Sequence, residues 1–321
     1  MRPFPRRLLR AAGIAVLTVL ALLTVSTVAN LLLERSEKES IVPYGNRVAI
    51  GSGSVNVYRN GETGPPLVLL GGLGTAAPAV DFAPLIRELD GFDVTVVEGF
   101  GYGYADMSAD ERTNEHISTE LHETLGRIGV APPYILAGHS IAGFYMLDYA
   151  NRYPAEVAAV IGIDATIPKA NDGGGEDADQ TAAPEQGINW NRILSVTGLV
   201  RLAAAAGLED PEPGAYTEDE VARIRAMTSW NYGNSAVADE TARIAGNAAA
   251  LGHLSYPDDL PVLAFVAGGG GSAEQTDATE NLLRNVRVHK VVRLDGGHYL
   301  HQTQSEVMAE EIRAFLGSAG Q

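Results

Sequence analysis

Cysteine is absent from the 321-residue chain, which excludes disulfides, thiolate metal sites and a cysteine nucleophile. It leaves the compartment open, because exported proteins also do without cysteine. Basic residues are scarce, with 23 Lys and Arg against 40 Asp and Glu, and the net charge is −17. Five of the arginines fall in residues 1–35, so the rest of the chain carries 18 basic against 39 acidic residues. A body of that sign repels phosphate, and nucleic acid is excluded as a partner. The seven histidines contain no HExxH pairing, so a zincin-like metal site has no support, and no cofactor is expected. Internal repeats are missing too, and low complexity is limited to short Gly- and Ala-rich stretches. What remains is an ordinary globular balance, 45% hydrophobic and 20% charged, long enough for a targeting segment and one sizeable α/β domain.

Charge and hydropathy separate the first forty residues from the rest. Arg2, Arg6, Arg7 and Arg10 precede an apolar run from Ala11 to Val28, extended after Asn30 by Leu31–Leu33. The run has no polar face, which argues against a buried amphipathic helix. It reads as an uncleaved anchor or a cleaved signal peptide. Its length is closer to the ~20 residues of a spanning helix than to the ~7–15 of a signal core, and Thr27-Val28-Ala29 is a mediocre cleavage site. The arginines would hold the N-terminus in the cytoplasm and leave the following domain outside. Ser36–Ser40 reads as a polar linker, so residues 1–40 form the targeting segment and 41–321 the globular domain.

Apolar runs at Leu67–Leu70, Val94–Val97, Tyr134–Ala137, Val157–Ile163, Val262–Val266 and Val288–Leu294 have the continuous character of strands buried on both faces of a parallel sheet. Arg47–Gly51 and Ser54–Tyr58 predict an opening hairpin. Helical patterns fall between the runs, at Phe82–Leu89, Ile117–Ile128, Ala142–Arg152, Glu280–Arg284 and Glu306–Phe315, which predicts βαβ crossovers and a doubly wound sheet. The regularity breaks over about 165–256. Asn171–Gln180 reads as a flexible loop, and helices are expected near Asn191–Ala206, Glu218–Trp230 and Val237–Leu251. Thr217 and Glu220 form a capping box at the start of the second. Helices inserted between two sheet strands suit a cap over an active site.

The strand at Tyr134–Ala137 runs into Gly138-His139-Ser140-Ile141-Ala142-Gly143 and then a helix. That is the setting of a nucleophile elbow, in which Ser140 occupies a tight strained turn with its Oγ projecting. Residues two before and two after then lie too close for large side chains, and Ala142 adds a single methyl.

On these residues the body resembles the α/β-hydrolase superfamily from Val48 to about Leu316. Four landmarks fall in the family's order: Gly71-Gly72-Leu73-Gly74, Glu98-Gly99-Phe100-Gly101-Tyr102-Gly103, Gly138-His139-Ser140, and Gly296-Gly297-His298-Tyr299-Leu300-His301. The resemblance implies an eight-stranded, mostly parallel sheet flanked by helices, with a helical cap inserted after the sixth strand. It also implies acyl transfer by a Ser–His–acid triad. Ser140 is the expected nucleophile and His298 the expected base, preferred over His301, whose place suggests packing or a backbone hydrogen bond. The helix after His298 is expected to open at Thr303 with Glu306. The N–H groups of Leu73 and Ile141 are the expected oxyanion hole, although Gly71 stands where many members have His. The acid stays open among three residues. The loop after Val262–Val266 holds Gly268–Gly271 and no carboxylate; Asp164 ends the preceding strand, Glu274 follows the glycines, and Asp277 also reads as an N-cap.

His139 is expected to brace the elbow, Asp148 to be solvated or salt-bridged, and Glu98 to satisfy loop amides. Phe100, Tyr102 and Tyr104 fit a pocket mouth or a packed loop. Trp190, Trp230 and Tyr232 fit either a substrate contact or the packing of the cap. The implied function is hydrolysis of a small or medium apolar carboxylic ester by a membrane-tethered serine hydrolase. The alternatives are cofactor-free acyl transfer or perhydrolysis with the same triad, and a non-catalytic binding domain on the same fold. Dehalogenase and epoxide-hydrolase chemistry need Asp where Ser140 stands.

Overall fold

Runs of Leu, Val and Ile with no polar alternation can be satisfied only by burial on both sides, and the strands they form lie at the centre of a sheet. A computed structural model describes residues 6–51, 53–168, 187–208, 211–269 and 271–319. The strands are β1 (Asn46–Ile50), β2 (Gly53–Arg59), β3 (Pro66–Leu70), β4 (Asp93–Glu98), β5 (Tyr134–His139), β6 (Val157–Ile163), β7 (Val262–Ala267) and β8 (His289–Leu294). They form one sheet in the order β1-β2-β4-β3-β5-β6-β7-β8. β2 runs antiparallel to both its neighbours, and every pair from β4 to β8 is parallel.

Alternate side chains of the same strands feed two cores. Val68, Leu70, Leu136, Val160 and Val262 pack beneath α4 (Asn114–Ile128), α5 (Ala142–Arg152), α9 (Ser235–Leu251) and α10 (Ser272–Leu283). Leu67, Leu69, Val96, Ile135, Ile161 and Phe265 face α3 (Ala83–Glu88) and α12 (Ser305–Ala319) on the other side. Burying each such side chain contributes about 1.5–3 kcal/mol, so the central strands form a rigid base whose C-terminal ends carry the loops. α2 (Pro78–Asp81) follows β3, and α11 (Leu300–Thr303) precedes α12.

Between β6 and β7 lie α6 (Trp190–Val196), α7 (Leu199–Ala205), α8 (Glu218–Asn231) and α9. The expected loop Asn171–Gln180 lies outside the described residues. The Thr217–Glu220 capping box is present at α8, both of its bonds made. The single helix expected over Asn191–Ala206 is instead two, because Gly198 adopts φ +78° between them and a Cβ there would stand 3.0 Å from the Asn30 Cβ. α10 begins at Ser272 behind a left-handed Gly271. Asp277 is therefore inside a helix and not an N-cap. Thr303 ends α11 and does not open α12.

α1 (Arg6–Ser40) has an 18-residue stretch of mean hydropathy 2.3, of which 6% is buried. By length and composition it can cross a membrane. The expected linker Ser36–Ser40 is the last turn of this helix, closed by the i,i+4 pairs Arg35–Glu39 and Lys38–Glu34 at 3.0 and 2.5 Å. Its C-terminal half touches the helices between β6 and β7. The Asn30 side chain, 3% exposed, donates to the carbonyls of Ser195 and Val196 at 3.1 and 3.3 Å. Trp230 Nε1 donates to Glu37 at 2.9 Å.

Candidate active site

β5 delivers the chain into a turn that only a special backbone can make. Ser140 has φ +54° and Asp164 has φ +42°, the two positive values of non-glycine residues among those described. Each costs on the order of 1–3 kcal/mol, a strain that folds retain at working sites. The Ser140 turn is held on both sides. Its N–H donates to the Ile163 carbonyl at 3.1 Å, and its own carbonyl accepts from Gly143 and Thr166 at 3.0 and 2.8 Å. The tight packing expected two residues either side is present, since a Cβ on Gly138 would lie 2.7 Å from the Ala142 Cβ. Ile141 then stands at the N-terminus of α5.

The loop after β3 lies directly against this turn. A Cβ on Gly72 would come 3.3 Å from the Ser140 Cβ and 2.7 Å from His139 Nδ1. Leu73 follows it, on the rim of a cleft of about 920 Å³ lined also by Ala76, Gly101, Trp190, Asn231 and Tyr232. Tyr102 accepts from the Gly74 N–H at 3.5 Å and donates to Glu240 of α9 at 2.8 Å. Through it the β3 loop is tied to the insertion.

His298 and Asp164 meet: His298 Nδ1 stands 2.6 Å from Asp164 Oδ2. The other carboxylate oxygen accepts the Ala267 N–H at 3.0 Å. Burial works to raise this carboxyl, but the hydrogen bonds from His298 and Ala267 outweigh it and hold Asp164 below the ordinary carboxylate pKa. Of the three carboxylates considered for the acid, the one against His298 is Asp164, at the end of β6. Glu274 and Asp277 lie on α10. The glycine loop after β7 packs closely on β8, a Cβ on Gly268 falling 2.9 Å from the Leu294 carbonyl.

A second histidine layer lies behind. His139 is buried, and its Nε2–H donates to the His298 carbonyl at 3.0 Å. This fixes the tautomer and leaves Nδ1 without a partner among described residues. Burial first, then the neighbouring His301 and His298, press its pKa down to about 3. The expected brace is present as a neutral ring. His301 is fully buried, tilted on Phe82 with ring centres 4.8 Å apart. It bonds a side chain rather than the backbone: Nε2 donates to Asp81 Oδ2 at 2.8 Å. Burial raises and the imidazole lowers Asp81, whose pKa ends below the ordinary value. Gln302 donates to the Asp81 carboxylate at 2.9 Å, and the Tyr216 hydroxyl to the Asp81 backbone carbonyl at 2.7 Å.

Glu98 is wholly buried and receives Tyr44, Asn56 and the N–H groups of Ala79 and Tyr104 at 2.6, 2.8, 3.0 and 3.3 Å. Burial raises its pKa despite these donors. It satisfies loop amides, as expected. Asp148 pairs with Arg152 at 2.7 Å. Phe100 is buried in a small core with Val55, Val57 and Ala236, and Tyr104 packs edge-on against Tyr44, so this loop is packed. Trp190 and Tyr232 line the cleft, whereas Trp230 is buried and holds α1. Asp81 and Glu240 carried no signal in the sequence, since each matters through a partner more than ninety residues away; Gly72 was marked only as part of the glycine-rich landmark after β3.

The sequence profile of the alpha/beta hydrolase fold matches residues 65–301. An uncharacterized protein of Bacillus subtilis is 26% identical over 223 residues, covering 68% of this chain and 67% of that one. Lipase 3 of a Moraxella species is 28% identical over 186 residues, 52% of this chain and 57% of the lipase. Lipase 1 of Psychrobacter immobilis is 34% identical over 136 residues, 39% of this chain and 42% of the lipase. This chain thus spans about half the length of the two lipases. Among solved structures, a thermophilic esterase from Thermogutta terrifontis superposes with TM-score 0.59 at 18% identity, covering 86% of this chain and all of the esterase. An epoxide hydrolase from Vigna radiata gives 0.65 at 17% identity, covering 85% and 97%. With the sheet order, the loop set at its carboxyl edge and a profile match across most of its length, the chain belongs to the alpha/beta hydrolase fold family.

Proposed function

We propose that this protein is a serine hydrolase that cleaves a carboxylic ester through an acyl-Ser140 intermediate. The observation that carries the proposal is the His298–Asp164 bond of 2.6 Å, with Asp164 following Ile163, whose carbonyl accepts the N–H of Ser140 in its left-handed turn, and with His139, next to Ser140, bonded to the His298 carbonyl. In this reading His298 Nε2 takes the Ser140 proton as Oγ attacks the ester carbon. The oxyanion is held by the N–H groups of Leu73 and Ile141. Collapse breaks the bond to the alcohol, which leaves with the proton from His298, and a water molecule repeats the cycle to release the acid. Asp164 keeps the imidazole in the Nδ1–H tautomer and balances its charge. The cleft beside Leu73, with Trp190 and Tyr232 on its walls, suits a small or medium apolar substrate, and the insertion over it serves as the cap. Two relatives called lipases support an apolar ester.

We read α1 as a retained anchor, with its arginines in the cytoplasm and residues 41–321 outside. A fluorophosphonate probe tests the chemistry. Folded wild type should label at Ser140, Ser140→Ala should not, and Asp164→Asn should label and turn over about 10³–10⁴-fold more slowly. Absence of labelling in folded wild type would refute the proposal.

A further inference from the structure

α1 does not stop at the edge of its apolar stretch before meeting the body. Its less exposed positions, Leu23, Ser26, Thr27, Asn30, Glu34 and Glu37, recur every three or four residues and make one helical face. Ser26 Oγ donates to the Thr197 carbonyl at 2.6 Å, and Asn30 to Ser195 and Val196. These carbonyls are at the C-terminus of α6, where a helix leaves acceptors unpaired. A hydrocarbon slab of about 30 Å takes about 20 helical residues. Counted from Ala11, just after the last of the leading arginines, it reaches Asn30. The Ser26–Thr197 contact then falls about 6 Å inside the boundary. The turn that joins α6 to α7 is therefore at lipid depth, with the Val196 and Thr197 carbonyls satisfied by α1 and that of Ser195 by α1 and the Gly198 N–H rather than by water, as that depth requires.

The side chains around this turn match the solvent. Trp190, Ile193 and Leu194 of α6 and Leu199 and Leu202 of α7 are exposed, Trp190 to 65% and Leu202 to 60%. The arginines of the two helices have their guanidinium groups bonded within the protein: Arg192, otherwise exposed, with the Trp230 carbonyl at 2.9 Å, and Arg201 with Asn30 at 2.9 Å and with Glu37. A groove of about 290 Å³ runs beside Leu194, Leu199, Ala203, Leu208 and Ile224, and its Thr228 and Tyr232 also line the cleft that holds Leu73.

We propose that the α6–α7 face is seated in the outer boundary of the phospholipid bilayer that α1 crosses, and that the groove beside it admits an apolar acyl chain from lipid toward Leu73. This rests on α1 being a retained anchor. The insertion is then a membrane-embedded part of the enzyme, and its substrates are drawn from the bilayer rather than from water.

With no native cysteine, single labelling sites can be placed at will. The full chain, reconstituted in phosphatidylcholine vesicles, carries an environment-sensitive fluorophore at Leu202→Cys or Leu194→Cys. The controls are Val25→Cys in α1 and Glu62→Cys, which lies before β3 at the opposite end of the parallel strands. Labels at 202 and 194 should be quenched by nitroxide lipids and shielded from iodide, as at Val25, while the label at 62 shows the reverse. Iodide quenching at 202 and 194 equal to that at 62, with Val25 still in lipid, would overturn the seating while sparing the anchor. A Val25 label outside lipid would overturn both. Neither result bears on Ser140 labelling, which tests the chemistry separately.

Discussion

Acid should weaken this fold through one imidazole. His139 is 1% exposed and neutral, its pKa held at about 3. In the unfolded chain the same group titrates near ~6.5. A base whose folded pKa is lowered contributes stability fully above its unfolded value, and that stability is lost as pH falls from there toward the folded pKa. Between pH 7 and 5 the unfolded ring becomes almost fully protonated while the folded ring does not. The difference is about 1.4 pH units at ~1.36 kcal/mol each, about 2 kcal/mol. The groups facing the ring are His298, Tyr299 and His301, with Asp81 beyond and Gly72 against Nδ1. Of these, Asp81 and the hydrogen bond to the His298 carbonyl offset part of the penalty. His139→Gln keeps an N–H for the His298 carbonyl and removes the titration. Full-length protein in nonionic detergent is melted at both pH values. Wild type should lose about 3–4 °C more than the variant between pH 7 and 5. Equal losses would show that the ring takes no part in the linkage and that the burial argument is wrong.

Three further outcomes follow from local geometry. Ser140→Gly relieves a left-handed backbone and should stabilise the fold by about 1 kcal/mol, raising the melting temperature while abolishing turnover; a lower melting temperature would contradict the strain. Gly72→Ala puts a methyl 2.7 Å from His139 Nδ1, and should cost about 1–3 kcal/mol in urea unfolding together with most of the fluorophosphonate labelling rate. Glu98→Ala removes the acceptor of four donors, two of them in fully buried bonds, and should cost about 3 kcal/mol by the same measurement, with m unchanged.

The sheet was legible because its signal is local. Buried parallel strands declare themselves as apolar runs, and the starts and ends of β6 and α5 agree with the runs that predicted them. The break between α6 and α7 was not legible, because Gly198 is required by Asn30, 168 positions earlier in the chain and on the surface of another helix. The opening of α10 was missed for a different reason: glycines 268–271 read as a loop, while the last of them is a left-handed entry to the helix. At the site, Ser140 and His298 stood out through flanking glycines and order. Asp164 could not be separated from Glu274 and Asp277, because a carboxylate one residue past a strand looks the same whether it meets a histidine or water. The deciding fact is that β6 and β7 are neighbours in the sheet, which places Asp164 beside the Ala267 amide.

Asp164 is also the last residue before the long excursion out of the sheet. Thr166, two residues on, bonds the Ser140 carbonyl, and Gln275 bonds the Ala165 carbonyl at 2.7 Å from the far side. The root of the excursion and the Ser140 turn are thus tied together by these hydrogen bonds. A chimera that exchanges the excursion between relatives must splice after Thr166 to keep both the Asp164–His298 bond and the Ser140 turn.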